Sequence, residues 1–404
     1  MKLPLSLRNL TRQRMRTAIA FAAISFSVVA LVLAGGFFEW LLWHVRESTI
    51  ESRLGHIQIV KKGFRENGTA APYDYLLPAD SPELAAIREL PEAKAVAARL
   101  NFTGVISLNE TTISFMGEGV QPKEEAEISR QVAITAGENL SEDDPNGIII
   151  GAGLAATIGA KPGDKIVLLS TASTGGMNGV EGHVRGLYST FVKAYDDASL
   201  KVPLPLARKL VRVSGAHTWV VLLNKTEQTE TIVERLNKSL ETSDLQVISW
   251  RELADFYNKS VTLFSKQINV IRVMIALVVL LSISNTLIMS VLERTGEIGT
   301  LMALGSTSRR VLSLFLSEAF FLGLIGGLLG VILSYMLAQL ISAVGIPMPP
   351  LPGSSRAFLA KISVSGSLAF GAWLLVLFTT MLASIYPAWK GSRLNIVDAL
   401  RHNK

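Results

Sequence analysis

The chain has 404 residues, of which 49% are hydrophobic and only 18% charged, with a net charge of +6 and no cysteine. That balance excludes an ordinary soluble domain, and the missing cysteine excludes disulfides and thiolate metal sites. The basic residues flank apolar blocks rather than forming one patch interleaved with aromatics, which argues against a nucleic-acid partner.

Four apolar blocks stand out. Residues 17–38 carry no charge, and as a helix rising about 1.5 Å per residue they cover roughly 33 Å, enough for the hydrocarbon core of a bilayer. Residues 273–292, 319–346 and 362–389 are equally charge-free. Four spans place both termini on one side. Lys2, Arg8, Arg12, Arg14 and Arg16 precede the first span without any acid; Arg294, Arg309 and Arg310 lie between the second and third. Lys390, Arg393, Arg401 and Lys404 follow the fourth, whereas the opposite short loop has only Arg356 and Lys361. By the positive-inside bias, the termini are expected in the cytoplasm.

A cleavable signal peptide ending near Ala30 or Ala34 is the competing reading of the start. The apolar run exceeds a signal segment, however, and continues into Phe37, Phe38, Trp40 and Trp43, an aromatic band suited to a membrane interface. Before it, Leu3, Leu7 and Leu10 recur at helical spacing opposite Arg8, Arg12 and Arg16. The pattern fits an amphipathic helix on the inner leaflet, and equally a basic tail without structure.

Residues 44–266 form the one segment of ordinary polarity long enough to bury its own core. Residues 56–60 read as a strand, and 105–108 with 112–115 as a hairpin around Asn109-Glu110. Ser81-Pro82-Glu83 starts a helix that Pro91 closes. Strands at 147–150 and 165–169 flank a helical stretch at 154–158. The Gly-, Ser- and Thr-rich run 170–182 then reads as a mobile surface loop. Its Gly175, Gly176, Gly179 and Gly182 are not followed by the Lys-Ser/Thr pair of a phosphate cradle. Residues 218–223, 229–240 and 245–249 make a strand-helix-strand unit like that of 85–108. Two such units around a strand-rich insertion imply an extracytoplasmic α+β domain with two lobes, inserted between spans one and two.

Catalytic signals are weak. His44, His56, His183 and His217 lack metal-ligand spacing, and no Gly-x-Ser-x-Gly elbow occurs. Nor is there a Gly-Lys dipeptide to end a P-loop, so no P-loop ATP site is expected on this chain, and ATP and Mg would be bound elsewhere.

Between spans two and three the chain reads Glu293-Arg294-Thr295-Gly296-Glu297-Ile298-Gly299-Thr300-Leu301-Met302-Ala303-Leu304-Gly305. Ile298, Leu301, Met302 and Leu304 suggest one apolar stripe on a short helix, beside Glu293, Arg294 and Glu297. Such a stripe suits a partner's groove or lipid headgroups alike. In span three, Gly323 with Gly327 and Gly326 with Gly330 offer a flat face for packing within the subunit or between two copies. Glu318, a carboxylate near the membrane boundary, needs a cation, for which Arg309, Arg310 and the tail are the candidates.

The 293–305 segment strongly resembles the signature of the MacB/FtsX-like permease family. The likeness extends to Glu318, to the four span-three glycines, to Tyr386-Pro387-Ala388 and to Ala399-Leu400-Arg401. Gly55-His56-Ile57-Gln58-Ile59 after span one looks most like the lipoprotein-releasing (LolC/LolE-like) permeases. The resemblance implies an inner-membrane ABC exporter permease acting as a dimer with a separate pair of ATPase subunits. Glu293, Arg294, Glu297, Ile298, Leu301, Leu304 and Gly305 would then receive the ATPase's motion. The cargo would be a lipoprotein, lipid or other amphiphile, with a periplasmic lipoprotein or adaptor and membrane lipids as further partners. A non-transporting transducer that activates a cell-wall hydrolase is the alternative.

The expected layout is an amphipathic helix at 1–16, spans at 17–43, 267–292, 311–344 and 362–389, and the periplasmic domain at 44–266. The coupling loop occupies 293–310, the periplasmic loop 345–361 and the cytoplasmic tail 390–404. Residues 250–260 are expected to run into span two as one helical stalk.

Overall fold

The computed structural model describes residues 14–190, 192–350 and 357–393. Residues 1–13, Arg356 and the tail beyond 393 lie outside the described residues.

The charge-free stretches become four long helices, Arg14–Thr49, Asp255–Glu293, Ser308–Val344 and Gly366–Ser392, called spans 1 to 4 below. Each is long and apolar enough to cross a bilayer. Their inner faces meet in one cluster that includes Ile24 and Val28, Val279 and Ile283, Ala319 and Leu322, and Val376 and Ala383. Lipid offers no hydrophobic drive for such contacts, so close packing and interhelical hydrogen bonds hold the bundle. Ser25 Oγ donates to the Gly326 carbonyl at 2.8 Å, and Ser284 Oγ to that of Ala383 at 2.8 Å.

The helices extend past several of the expected span ends, and two departures have a local cause. Span 4 starts at Gly366 rather than 362, because Ser365 Oγ caps it by accepting from Leu368 N at 3.2 Å. The backbone of Ile362 is instead spent on Ser342 Oγ, at 3.0 and 3.2 Å. The stalk before span 2 is broken too. Trp250–Leu253 is a separate turn and Ala254 leaves helical geometry, since Trp250 is drawn into a cluster with Ile50, Val220 and Leu222.

The domain between spans 1 and 2 is built on ten strands. They are β1 Ile57–Lys61, β2 Ala93–Leu108, β3 Thr111–Val120, β4 Ala133–Gly137, β5 Gly147–Gly151, β6 Lys165–Thr171, β7 Met177–Ser189, β8 Ser199–Pro203, β9 Thr218–Leu223 and β10 Leu245–Ser249. The order is β10-β1-β9-β2-β3-β8-β5-β7-β4, with β6 bridging β2 and β7. The 16-residue β2 organises it: its first half pairs with β9, its second with β6, and β3 runs beside it. The two expected lobes therefore share one sheet and one continuous apolar core. Asn109 takes a positive φ of 52° in the β2–β3 turn, a conformation asparagine tolerates.

Residues 170–182 are mostly not a loop. Ser170 pairs with Asn178 and Thr171 with Met177, so only the tip of the β6–β7 hairpin turns, at Gly175 with φ 85°. The inward positions of β7 alternate Val180, Gly182, Val184, Gly186 and Tyr188. Glycine at two of them hides the period-two pattern that hydrophobicity would reveal. A side chain at Gly186 would collide with the Glu138 carbonyl, 2.2 Å from where its Cβ would stand.

The domain holds several of its buried polar groups in close pairings. Glu125 is shared by Arg99, at 2.9 and 3.0 Å, and Lys201, at 2.6 Å, all three nearly inaccessible to solvent. Burial alone would raise the Glu125 pKa, but Arg99 and Lys201 hold it down to about 2. His56 Nδ1 accepts from Leu223 N at 3.0 Å, and His217 Nδ1 from Asn101 N at 3.1 Å. Burial penalises the imidazolium, and both rings have pKa values lowered to about 4. Protonating either ring would also remove a backbone acceptor.

These shifts have one sign. All three groups bind protons more readily in the unfolded chain, so their contribution is complete above about pH 6.5 and is lost as pH falls. The histidine part disappears between about pH 6.5 and 4, and the Glu125 part between about pH 4.5 and 2. Thermal unfolding followed by tryptophan fluorescence should therefore show a midpoint that is flat above neutrality and declines through the histidine window. His217→Asn should flatten that decline; an identical slope in the variant would refute the assignment.

Candidate functional site

Span 2 ends at Glu293, and a second helix, Thr295–Ala303, follows at once. Arg294 departs from helical geometry between them, at φ −100° and ψ 12°. Thr295 Oγ1 donates to the carbonyls of Val291 and Leu292 at 3.1 and 2.8 Å, which occupies acceptors that the broken ladder would leave bare. The short helix, called the linker helix here, closes on a Schellman motif. Gly305 has φ 91°, its N–H reaches the Met302 carbonyl, and Ser306 N–H reaches that of Leu301, both at 3.0 Å. Gly305, one of the expected coupling residues, thus serves as the helix terminator.

The expected single apolar stripe is two faces. Ile298 is buried with Val291, Val311, Phe315 and Ala388, and Met302 packs beside it one turn on. Leu301 and Leu304 point the other way and are 43% and 81% exposed. Residues four apart share a face, so 298 pairs with 302, while 297, 301 and 304 line up about 100° away. One side of the linker helix is therefore anchored within its own bundle. The other presents Glu297, Leu301 and Leu304 outward.

Glu318 is paired with Arg294, not with Arg309 or Arg310. Arg294 Nη1 donates to its two carboxylate oxygens at 3.0 and 3.4 Å, and Arg294 Nε contacts Glu297 at 3.3 Å. Glu318 is 4% exposed, whereas Arg309 and Arg310 are exposed on the first turn of span 3. Eight or nine residues along one helix amount to roughly 12–13 Å of rise, beyond the reach of a side chain folding back. The break after span 2 instead delivers Arg294 to the carboxylate. Its place as the first cation after a charge-free span was the available signal, because an intramembrane acid pairs with whatever cation the fold brings nearest.

The four glycines of span 3 divide between two neighbours. A Cβ at Gly323 would fall 2.8 Å from Leu377 and one at Gly327 2.5 Å from Trp373, both on span 4. At Gly326 and Gly330 it would meet Ile24 and Val28 of span 1 at 2.9 and 2.6 Å. The two small-residue pairs therefore seat spans 4 and 1 within one chain. Among the described residues, no group of three or more His, Asp or Glu side chains could hold a metal ion.

Removing one member of a buried ion pair leaves the other charged and unpaired, at a cost of about 3–5 kcal/mol, whereas replacing both with apolar residues is often near neutral. Arg294→Met should accordingly lower the thermal midpoint in detergent more than the double replacement Arg294→Met with Glu318→Leu. Additive losses in this double-mutant cycle would contradict the pairing.

Comparison with known proteins agrees with this architecture. The MacB-like periplasmic core domain family matches residues 17–239, and the FtsX-like permease C-terminal family matches residues 269–396. An uncharacterized ABC transporter permease of Methanocaldococcus jannaschii is 29% identical over 54% of this chain and 54% of its own length. The macrolide export ATP-binding/permease protein MacB of Sodalis glossinidius is 26% identical over 98% of this chain and 60% of its own. The chain thus spans between half and two thirds of the length of these relatives. The solved periplasmic region of MacB from Actinobacillus actinomycetemcomitans aligns with 53% of this chain and 94% of its own, at 12% identity and a TM-score of 0.37. With one family covering more than half of the chain and the other most of the rest, the protein belongs to the MacB/FtsX-like ABC transporter permeases.

Proposed function

We propose that the chain is the permease subunit of an ATP-driven exporter that works by mechanical transmission from a separate ATPase. The observation that carries this is the two-sided linker helix. Its inner side is locked to span 3 through Ile298 and the Arg294–Glu318 pair, and its outer side offers Leu301 and Leu304. A short helix so arranged can be gripped by a partner's groove and pass a displacement into the bundle it is fastened to. The basic flanks support a cytoplasmic position for it, where a nucleotide-hydrolysing partner would be found. Spans 1 and 2 then carry the movement toward the extracytoplasmic domain, which would extract or expel an amphiphilic cargo such as a lipid or lipoprotein.

A second permease copy fits the same scheme. Val270, Val273, Leu277 and Leu281 of span 2 are exposed in the single chain, and such a row suits either lipid or a second subunit. The Sodalis glossinidius relative is named for macrolide export. Among these cargoes, lipoprotein rests on the Gly55–Ile59 likeness alone.

Coupling is tested with the permease and its ATPase reconstituted in proteoliposomes. Leu304→Glu combined with Leu301→Ala should weaken ATPase association by about thirtyfold, as expected when a contact worth about 2 kcal/mol is lost. Stimulated ATP hydrolysis should fall with it, while the variant keeps the wild-type thermal midpoint. Full association and stimulation in that variant would sink the coupling role.

A further inference from the structure

Spans 1, 2 and 4 line a cavity of about 200 Å³ that is open on one side. Its walls are apolar: Leu31 and Ala34 from span 1, Ile271 from span 2, and Leu375 from span 4. An apolar cavity of about 150 Å³ stays dry and takes up benzene, and a water needs two to four polar partners, so a space of this size and lining suits hydrocarbon better than water. Gly371 borders free space, where an added Cβ would meet nothing within 4 Å.

The polar lining is confined to Arg272 and Ser367. Arg272 is the last charge before the 20 charge-free residues of span 2, which puts its guanidinium at the edge of the hydrocarbon core on the domain's side. Its side-chain hydrogen bond among the described residues is a long one, 3.4 Å to Asn269 Oδ1. A guanidinium at that depth gains from an anion, and its planar fork matches phosphate oxygens two at a time. Glu39, near the same end of span 1, is bound by Ser365 Oγ at 3.2 Å.

We propose that this cavity holds one anionic phospholipid, with an acyl segment between spans 1, 2 and 4 and the phosphate on Arg272. A neutral acylated molecule would fill the same apolar space but would leave Arg272 facing no charge, which is why the bilayer's own anionic lipid is the occupant. The site stands apart from energy coupling, since none of its residues belongs to the linker helix.

Native mass spectrometry decides it, using protein released from nanodiscs of equimolar phosphatidylglycerol and phosphatidylcholine. The wild type should retain one phospholipid per chain, with phosphatidylglycerol enriched about tenfold, as a charge-assisted contact provides. Arg272→Gln should retain lipid without headgroup preference, and Gly371→Leu, which fills the cavity, should lose it. Equal retention of the two lipids by the wild type would overturn the proposal. So would undiminished retention by Gly371→Leu, or recovery of a neutral acylated species instead. Should Gly371→Leu not fold, the headgroup preference of Arg272→Gln against wild type still decides. ATP hydrolysis plays no part in this readout, so a failure of the coupling scheme leaves it intact.

Discussion

A carboxylate inside an apolar helix must find a cation, and in this protein that requirement shapes the junction between spans 2 and 3. Glu318 is nearly inaccessible, and its partner Arg294 sits where span 2 breaks. Because Arg294 also contacts Glu297, the linker helix, the break and span 3 share one guanidinium. The same geometry turns Ile298 inward and Leu301 and Leu304 outward. An ion pair at the membrane boundary therefore decides which side of the linker helix remains available.

Close approach organises the rest of the bundle. With lipid outside as apolar as the helix surfaces, spans 1, 3 and 4 associate by contact, and the span 3 glycines let their backbones come near. Ser25 adds a hydrogen bond at Gly326, where the backbone is within reach only because a side chain is missing. The cavity beside Gly371 follows from the same use of small residues, here left unfilled by any neighbouring side chain.

The extracytoplasmic domain solves a different problem, since its sheet buries charges as well as hydrocarbon. Arg99, Glu125 and Lys201 come from β2, the helix Pro122–Ile128 and β8, elements remote in sequence that meet around one carboxylate. Such a triad contributes little net stability but punishes any arrangement that separates its members. It therefore favours the one topology in which β2 and β8 lie on either side of β3.

Much of this was legible from composition and local pattern. Four charge-free stretches of at least 20 residues can only be buried in lipid, and Ser81-Pro82 and Asn109-Glu110 mark a helix start and a turn through local backbone preferences. The linker segment was visible as a short amphipathic helix. Other features depended on contacts between distant residues. The β6–β7 hairpin was hidden because Gly182 and Gly186 occupy inward positions, so its alternation carries no hydrophobic signal. The partner of Glu318, the splitting of the apolar stripe and the two targets of the span 3 glycines each depend on which helix packs where. Periodicity tells which residues share a face, but only the assembled bundle determines what that face meets.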